Sequence, residues 1–396
     1  MLIRLPPSDL PIYKMILTQC ANCATELGLT LGKKCGRCST RYCGPECQVQ
    51  HWKEGGHDKL CKIIKKAGGA EQYNANKKYS EAVAVAVEKC ADDTKGQTCF
   101  ICTQALHWKT KEGLVRGCSC RGTAGFVHVS CLGEQAKILF AEAEENNLGE
   151  KVLNERFGRW DKCSLCEQGY HGVVACALGW ACWKTYLGRP ETDNARGCAM
   201  TVLGNALSAA EHHEDALSVR ETQLAMVRRL GDSVENILIA QGNLVDTYAC
   251  LGRLDEAHDV RRQVYFGWIK LHGEEHYDTL REANNYAFSL LRLQRFEEVK
   301  SLIRKTMPVA RRVLGEGHGL TLKMRSRYAA ALFKGPSATL DDVRKAVTTL
   351  EETEQTARRM FGGAHPFTKG IGDYLKNARR ALRAREKSRE APPTTA

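Results

Sequence analysis

From about residue 172 to residue 380 the apolar positions recur with a period near 3.6, the mark of helices that bury one face. The pattern also repeats on a longer scale. RRLGDSVENILIAQGNL at 228–244, LHGEEHYDTLREANNY at 271–286 and VLGEGHGLTLKMRSRY at 313–328 align, so that Gly231, Gly273 and Gly315 fall 42 residues apart. MFGGAHPFTKGI at 360–371 is a fourth copy, displaced five residues by an insertion near KGPSATLDD. Within each copy a turn leads into an acidic helix start: EHHEDAL at 211–217, GRLDEAH at 252–258 and QRFEEVK at 294–300. Each unit therefore reads as helix, turn, helix. Such pairs cannot cover their apolar faces alone, so they are expected to stack into a solenoid with a concave face.

Two further stretches read as helices. KKYSEAVAVAVEKC at 77–90 forms one, ended by DDTKGQ. GVVACALGWACW at 172–183 is apolar on every side, yet shorter than the roughly 20 residues that span a bilayer. GWACWKTYLGR at 179–189 is expected to form the first helix of the repeats, sealing them against what precedes. The tail, KNARRALRAREKSREAPPTTA, is basic and then proline-rich, a helix fraying into disorder.

The earlier part of the chain carries its signal in cysteine. Of nineteen cysteines in 396 residues, fifteen lie at or before residue 166. Several stand in Cys-x2-Cys pairs, which read as metal ligands rather than as a disulfide framework. The N-terminus has two adjacent prolines and no apolar run fit for a signal peptide. On both features a reducing compartment, cytoplasm or nucleus, is expected.

The first series runs Cys20, Cys23, Cys35, Cys38, Cys43, Cys47, His57 and Cys61. Two intervening residues let both sulfurs of a pair turn toward one ion. Three put Cys43 and Cys47, and His57 and Cys61, at i and i+4 on one helix face. Eight ligands make two closed tetrahedral sites. His51 reads as a surface or packing residue and Trp52 as core filling. With CQVQHW and HDKLC in place, and Tyr42, Gln48 and Trp52 matching too, the segment resembles the MYND zinc finger. The resemblance implies interleaved sites, Cys20, Cys23, Cys43 and Cys47 at one zinc, Cys35, Cys38, His57 and Cys61 at the other. It also implies binding of short proline-rich peptides.

A connector at 62–94 follows, with Cys90 outside either series as a buried or exposed free thiol. The second series is Cys99, Cys102, Cys118, Cys120, His128, Cys131, Cys163 and Cys166. One residue separates Cys118 from Cys120 and seven separate Cys120 from His128. With CSCRGTAGFVHVSCL and CSLCEQGYHG this resembles the RING-CH finger. The resemblance pairs Cys99, Cys102, His128 and Cys131 at one zinc and Cys118, Cys120, Cys163 and Cys166 at the other. It implies docking of a ubiquitin-conjugating enzyme on the apolar residues of the opening and closing zinc loops, Ile101 and Leu165.

The chain departs from that family's pattern in three places. The Cys131–Cys163 interval holds 31 residues, with an acidic helical insert at AEAEENN. CLGEQAK lacks the expected tryptophan, for which Trp108 or Trp160 could stand in. Glu167 follows Cys166 where many such ligases have an arginine that contacts ubiquitin.

The repeats, in turn, resemble the 42-residue tetratricopeptide repeats of kinesin light chains, a class whose concave face binds peptides or protein segments. His276, His318 and His365 recur one per repeat, too far apart to share an ion, and read as loop hydrogen-bonding or capping residues. Cys176, Cys182, Cys198 and Cys250 read as small core fillers.

Charge adds little. The formal net charge is +12. Four zinc ions bring eight positive charges and fourteen ligating thiolates remove fourteen, leaving about +6. A nucleic-acid partner is not expected on that basis.

The expected fold is mainly α: two small cross-braced zinc modules, then an α-solenoid of tetratricopeptide-type helix pairs. The expected divisions are an N-terminal segment at 1–19, a MYND-type finger at 20–61, a helical linker at 62–94, a RING-CH-type finger at 95–171, repeats at 172–380 and a tail at 381–396. Four structural zinc ions are expected per chain. No phosphate-binding glycine loop, nucleophile elbow or open metal position is present, and the repeats leave no room for a methyltransferase domain. Two functions remain. One is a RING-type ubiquitin ligase with no covalent catalytic residue, recruiting protein substrates through its repeats and MYND finger. The other is a non-enzymatic interaction scaffold with structural zinc only.

Overall fold

A computed structural model describes residues 19–25, 27, 32–363 and 365–390. Nearly all of the N-terminal segment and the last six residues of the tail lie outside the described residues. The chain divides into two compact units, 1–232 and 233–396.

The first unit contains a two-residue antiparallel pair, β1 (Lys33–Lys34) and β2 (Arg41–Tyr42), followed by α1 (Pro45–Lys53), α2 (His57–Lys66) and α3 (Ala70–Cys90). After the second cysteine series opens come α4 (Val129–Glu145), α5 (Glu150–Phe157) and a 3-10 turn at Gly158–Trp160. Then follow α6 (Gly172–Tyr186), α7 (Asn194–Ala209) and α8 (His213–Arg229).

The all-apolar run at 172–183 has a physical reason in α6. A helix that is hydrophobic all round must be buried all round. Val174, Ala177 and Leu178 join the core of the second zinc module, with Val115, Phe126, Val127 and Leu132. Trp180, Trp183 and Tyr186 join a separate core with α7, α8 and the α4–α5 region. Gly179 allows the closest approach: a Cβ there would stand 2.6 Å from the Ala206 Cβ on α7. The helix begins at Gly172, seven residues before the stretch read as its start.

The long Cys131–Cys163 interval folds back as α4 and α5. The ring of Phe140 on α4 meets Phe157 at 5.1 Å and Tyr186 at 5.7 Å. Arg189 clasps Glu144 with two bonds, 2.6 and 2.7 Å. Trp160 is 1% exposed, its ring 5.9 Å from Tyr186. The acidic stretch thus ends a helix whose inner face is pinned, and the turn after α5 delivers the chain to Cys163.

The second unit is a run of helices: α9 (Val234–Cys250), α10 (Leu254–His272), α11 (Tyr277–Arg292), α12 (Phe296–Leu314), α13 (Gly319–Lys334), α14 (Leu340–Phe361) and α15 (Pro366–Glu390). Neighbouring helices pack together, and α11 touches α13 as α13 touches α15. Contact between alternate helices is what stacked helix pairs produce. Two cores follow the stacking: one spans α10 to α13 around Tyr286, Leu290 and Ile303, the other α13 to α15 around Phe333, Leu350 and Ile371.

The 42-residue period has its cause in the turns. Gly273, Gly315 and Gly362 end α10, α12 and α14 with φ of 81°, 90° and 87°, a region costly for any residue with a Cβ. Three residues later a histidine caps the next helix. Nδ1 of His276, His318 and His365 accepts from the amides of Asp278, Leu320 and Phe367 at 3.2–3.3 Å. The period is a repeated stop-and-start signal.

Two expectations fail. Cys250 is exposed at the end of α9, although Cys176 and Cys182 are buried. Trp52 is 43% exposed rather than core. The first module fills its interior with the cysteines themselves, together with Leu27, Tyr42, Ile64 and Ala70. Cys90, left open by the sequence, is buried.

Candidate metal centres

In the first module, backbone bonds shape the ligand loops before any ion is considered. Ala24 N donates to Cys20 O at 3.0 Å, and Ser39 N to Cys35 O at 2.9 Å, so each Cys-x2-Cys pair closes a tight turn. Cys43 lies two residues ahead of α1 and Cys47 in its first turn. His57 and Cys61 share the buried face of α2.

These elements gather two sets of four: Cys20, Cys23, Cys43 and Cys47, and Cys35, Cys38, His57 and Cys61, each with its ligand atoms within 4.8 Å of one another. The second module gathers Cys99, Cys102, His128 and Cys131, and Cys118, Cys120, Cys163 and Cys166, to the same tolerance.

The spacings test what could sit there. Zinc–sulfur bonds of about 2.3 Å in a tetrahedron put sulfurs about 3.8 Å apart, whereas a disulfide needs about 2.05 Å. The observed pairs are 3.6 Å for Cys23–Cys43, 3.4 Å for Cys43–Cys47, 3.9 Å for Cys35–Cys61 and 3.8 Å for Cys120–Cys163. Sulfur-to-nitrogen edges of a zinc site come to about 3.6 Å. Nε2 of His57 is 3.5 Å from Cys38 Sγ, and Nδ1 of His128 is 3.4 and 3.6 Å from Cys102 and Cys131. The four clusters fit zinc. Four protein ligands close each site, so the metal has a structural role and leaves no position for a substrate.

The two histidines offer opposite nitrogens. His128 turns Nε2 toward the Ala105 carbonyl at 3.3 Å, which fixes its ring. His57 Nδ1 is buried with no hydrogen-bond partner among the described residues. His51, beside it, takes Tyr42 OH on Nδ1 at 3.0 Å and lies 5.1 Å from the His57 ring.

Without an ion the thiols of a cluster disturb one another. Burial acts to raise Cys35, yet hydrogen bonds from His57 and the Arg37 and Cys38 amides bring it down to about 6. Its neighbour Cys61 is pushed up to about 11, by burial and then by Cys38 and Cys35. A divalent cation removes this conflict by holding all the thiolates at once. Zinc uptake must release protons, so affinity falls as pH falls.

Burial also ranks the sites. All four ligands of the Cys35 set are buried, whereas Cys23 and Cys43 of the Cys20 set are exposed. A chelator followed by a zinc-sensing dye should therefore strip the Cys20 set first. Loss of both sites in one phase would contradict that order.

In the second module Val115 and Val127 exchange backbone bonds of 2.8 and 3.1 Å, and His171 N reaches Gly117 O at 2.9 Å, binding the closing cysteine loop to the earlier one. Glu112 was not foreseen. Its carboxylate accepts from Ser130 N at 2.7 Å and Ser130 Oγ at 2.8 Å, at the start of α4. An anion there satisfies orphan amides and the helix dipole. Tyr79 OH meets Ser130 Oγ at 3.1 Å, and Lys184 Nζ lies 3.4 Å from the Tyr79 ring. No local spacing reveals this, because the partners come from four separate segments.

Ile101 and Leu165 occupy equivalent places. Each amide donates to the preceding cysteine sulfur, Cys99 or Cys163, at 3.4 Å. Their side chains are 37% and 52% exposed. Of the two tryptophans considered, Trp160 is in the core and Trp108 stands 68% exposed. Glu167 pairs with Arg159 at 2.8 Å, and Arg159 also reaches the Cys163 carbonyl at 3.5 Å. A guanidinium thus stands at the closing zinc loop although the residue after Cys166 is acidic.

In the second unit a cavity of about 560 Å3 opens between α11, α13 and the end of α14. Tyr277, Met360 and Phe361 give it apolar walls, and Arg281 and Lys323 positive charge. Asn284, also in its lining, is 3% exposed, and its Oδ1 has no hydrogen-bond partner among the described residues.

No helix among the described residues is long and apolar enough to cross a membrane.

Comparison with known proteins adds the following. No curated protein matches the chain. The chain is similar to solved helix-repeat structures. One is a Podosopora anserina kinesin-light-chain protein with nearly identical TPR-like repeats: 17% identity over 59% of this chain and 98% of that one, TM-score 0.39. Another is BtubC (BKLC) from P. vanneervenii: 14% identity over 68% of this chain and 95% of that one, TM-score 0.37. Residues 20–61 match the MYND finger model, and residues 99–147 match the RING-variant domain model, which stops short of Cys163 and Cys166. The chain therefore carries a MYND finger and a RING-variant domain ahead of its helix-pair repeats.

Proposed function

We propose that this protein is a zinc-held adaptor for ubiquitin transfer. Residues 99–166 dock a ubiquitin-conjugating enzyme, and the repeats, with the MYND finger, hold the protein substrate. The observation that carries the reading is the pair of matched zinc loops, each with an amide bonded to a ligand sulfur and each presenting one exposed apolar side chain, Ile101 and Leu165. Closed zinc sites do no chemistry themselves. The acceleration comes from holding the charged enzyme's thioester near a lysine, which converts a chance encounter into an oriented one. The cavity between α11 and α14 suits the recruiting role, since it combines apolar walls, cations and an unsatisfied amide oxygen. Fourteen thiolate ligands need a reducing compartment, and we place the protein inside the cell, in cytoplasm or nucleus.

Binding tests the docking face directly. Titrating the zinc-loaded protein with conjugating enzymes should give saturable binding. Ile101→Ala and Leu165→Ala should each weaken it by about tenfold, the usual cost of truncating a central interface anchor. Unchanged affinity in both variants would remove these loops from the interface. A second reading, a scaffold that moves no ubiquitin, draws on the acidic Glu167 and predicts no binding by either loop.

A further inference from the structure

The first zinc module has an outer face that neither its metal sites nor its core uses. α2 turns His57, Cys61 and Ile64 inward. At about 100° per residue, Leu60 and Ile63 then lie side by side on the outer surface, and Lys59, Lys66 and Lys62 continue round the helix from them. Leu60 is 37% exposed and Ile63 52%. The adjoining α1 adds Val49 and Trp52, three residues apart and also exposed. Trp52 meets the His57 ring edge-on at 5.7 Å, which joins the two helices' apolar residues at the start of α2.

Lysines surround these apolar residues. Lys53, Lys59, Lys62 and Lys66 are all exposed, and none has an acidic partner among the described residues. Asp58 is the one acid within α2. Unmatched lysines beside four exposed apolar side chains, on a module made rigid by metal, call for a partner that is anionic and apolar together.

We propose that the α1–α2 face docks on an anionic lipid bilayer. The lysines meet the headgroups, and Ile63, Leu60, Val49 and Trp52 enter the interface. Lysine stems lie along apolar surface while their ammonium groups reach outward, which suits a bilayer boundary. Single-stranded nucleic acid, the competing polyanion, is held by arginine and a series of stacking aromatics. α1 and α2 expose a single aromatic ring and no arginine.

The test is co-sedimentation of the full zinc-loaded chain with phosphatidylcholine vesicles, with and without phosphatidylserine. Binding is expected only with phosphatidylserine. Lys59→Gln/Lys62→Gln/Lys66→Gln should weaken it on the order of a hundredfold, each lysine near an anionic surface contributing about fivefold. Ile63→Ser should weaken it roughly tenfold at unchanged charge. Zinc content of each variant separates lost docking from lost folding, since none of these residues is a ligand. Vesicle binding indifferent to Ile63→Ser overturns the proposal. So does a chain that ignores the vesicles but binds polyuridylate RNA through the same lysines.

Discussion

Cys163→Ser should lower the zinc content from four ions to three and unfold the closing half of the second module. Cys163 is 1% exposed, and its sulfur stands 3.8 Å from Cys120 while taking the Leu165 amide. It is also the point where the α4–α5 excursion returns to the zinc loops. Structural zinc in small fingers contributes about 10–16 kcal/mol to folding, so losing a closed site outweighs any single side-chain change. The loss should spread, because Tyr170 N is held by Asp161 O at 2.8 Å and His171 N by Gly117 O at 2.9 Å only while the loop is in place. Native mass spectrometry reads the ion count. Hydrogen exchange should show residues 158–171 unprotected, with the first module unchanged. Four zincs in the variant would mean that Cys163 is not a ligand.

The second large effect lies in the helix pairs. Arg261 on α10 is 4% exposed and bridges two neighbours, reaching Asp246 on α9 at 2.5 Å and Glu282 on α11 at 3.0 Å. Glu282 is itself 5% exposed. Among the described residues, Arg261→Met leaves that buried carboxylate with Asn285 Nδ2 at 3.1 Å and the half-exposed Arg281 Nε at 3.5 Å. Breaking one partner of a buried pair costs about 3–5 kcal/mol. For a unit of this size the thermal midpoint should fall on the order of 10 °C. The double variant Arg261→Met/Glu282→Leu should regain most of the loss, because the penalty belongs to the stranded charge. A double variant no better than the single would show instead that the bridge's geometry holds the three helices.

What the sequence revealed and what it hid follow one division. Spacing information survives folding when a local turn creates it. The Cys-x2-Cys knuckles, the HDKLC helix and the glycine–histidine turn signal of each repeat are all of this kind, and the helix-pair fold could be read from them. Burial is different, because it depends on what arrives from far along the chain. Trp52 reads as core filling by its size and apolarity, but the ligand cysteines and Tyr42 already fill that interior. Cys250 sits at a helix end facing water, which no small-residue argument distinguishes from Cys176. Glu112 caps α4 from a loop 18 residues away in sequence. The acidic insert reads as a departure from the finger, yet it ends α4, whose inner face carries Phe140, with partners Phe157 and Tyr186 from two other helices.

We propose above all that the second zinc module activates a charged conjugating enzyme. The direct measurement is single-turnover discharge of ubiquitin from a panel of such enzymes onto free lysine, with Ile101→Ala beside the wild type. Faster discharge is expected from at least one enzyme with the wild type and background rate with Ile101→Ala, both proteins keeping four zinc ions. No acceleration from any enzyme, by wild-type protein that is folded and fully metallated, would contradict it and leave the scaffold reading in its place.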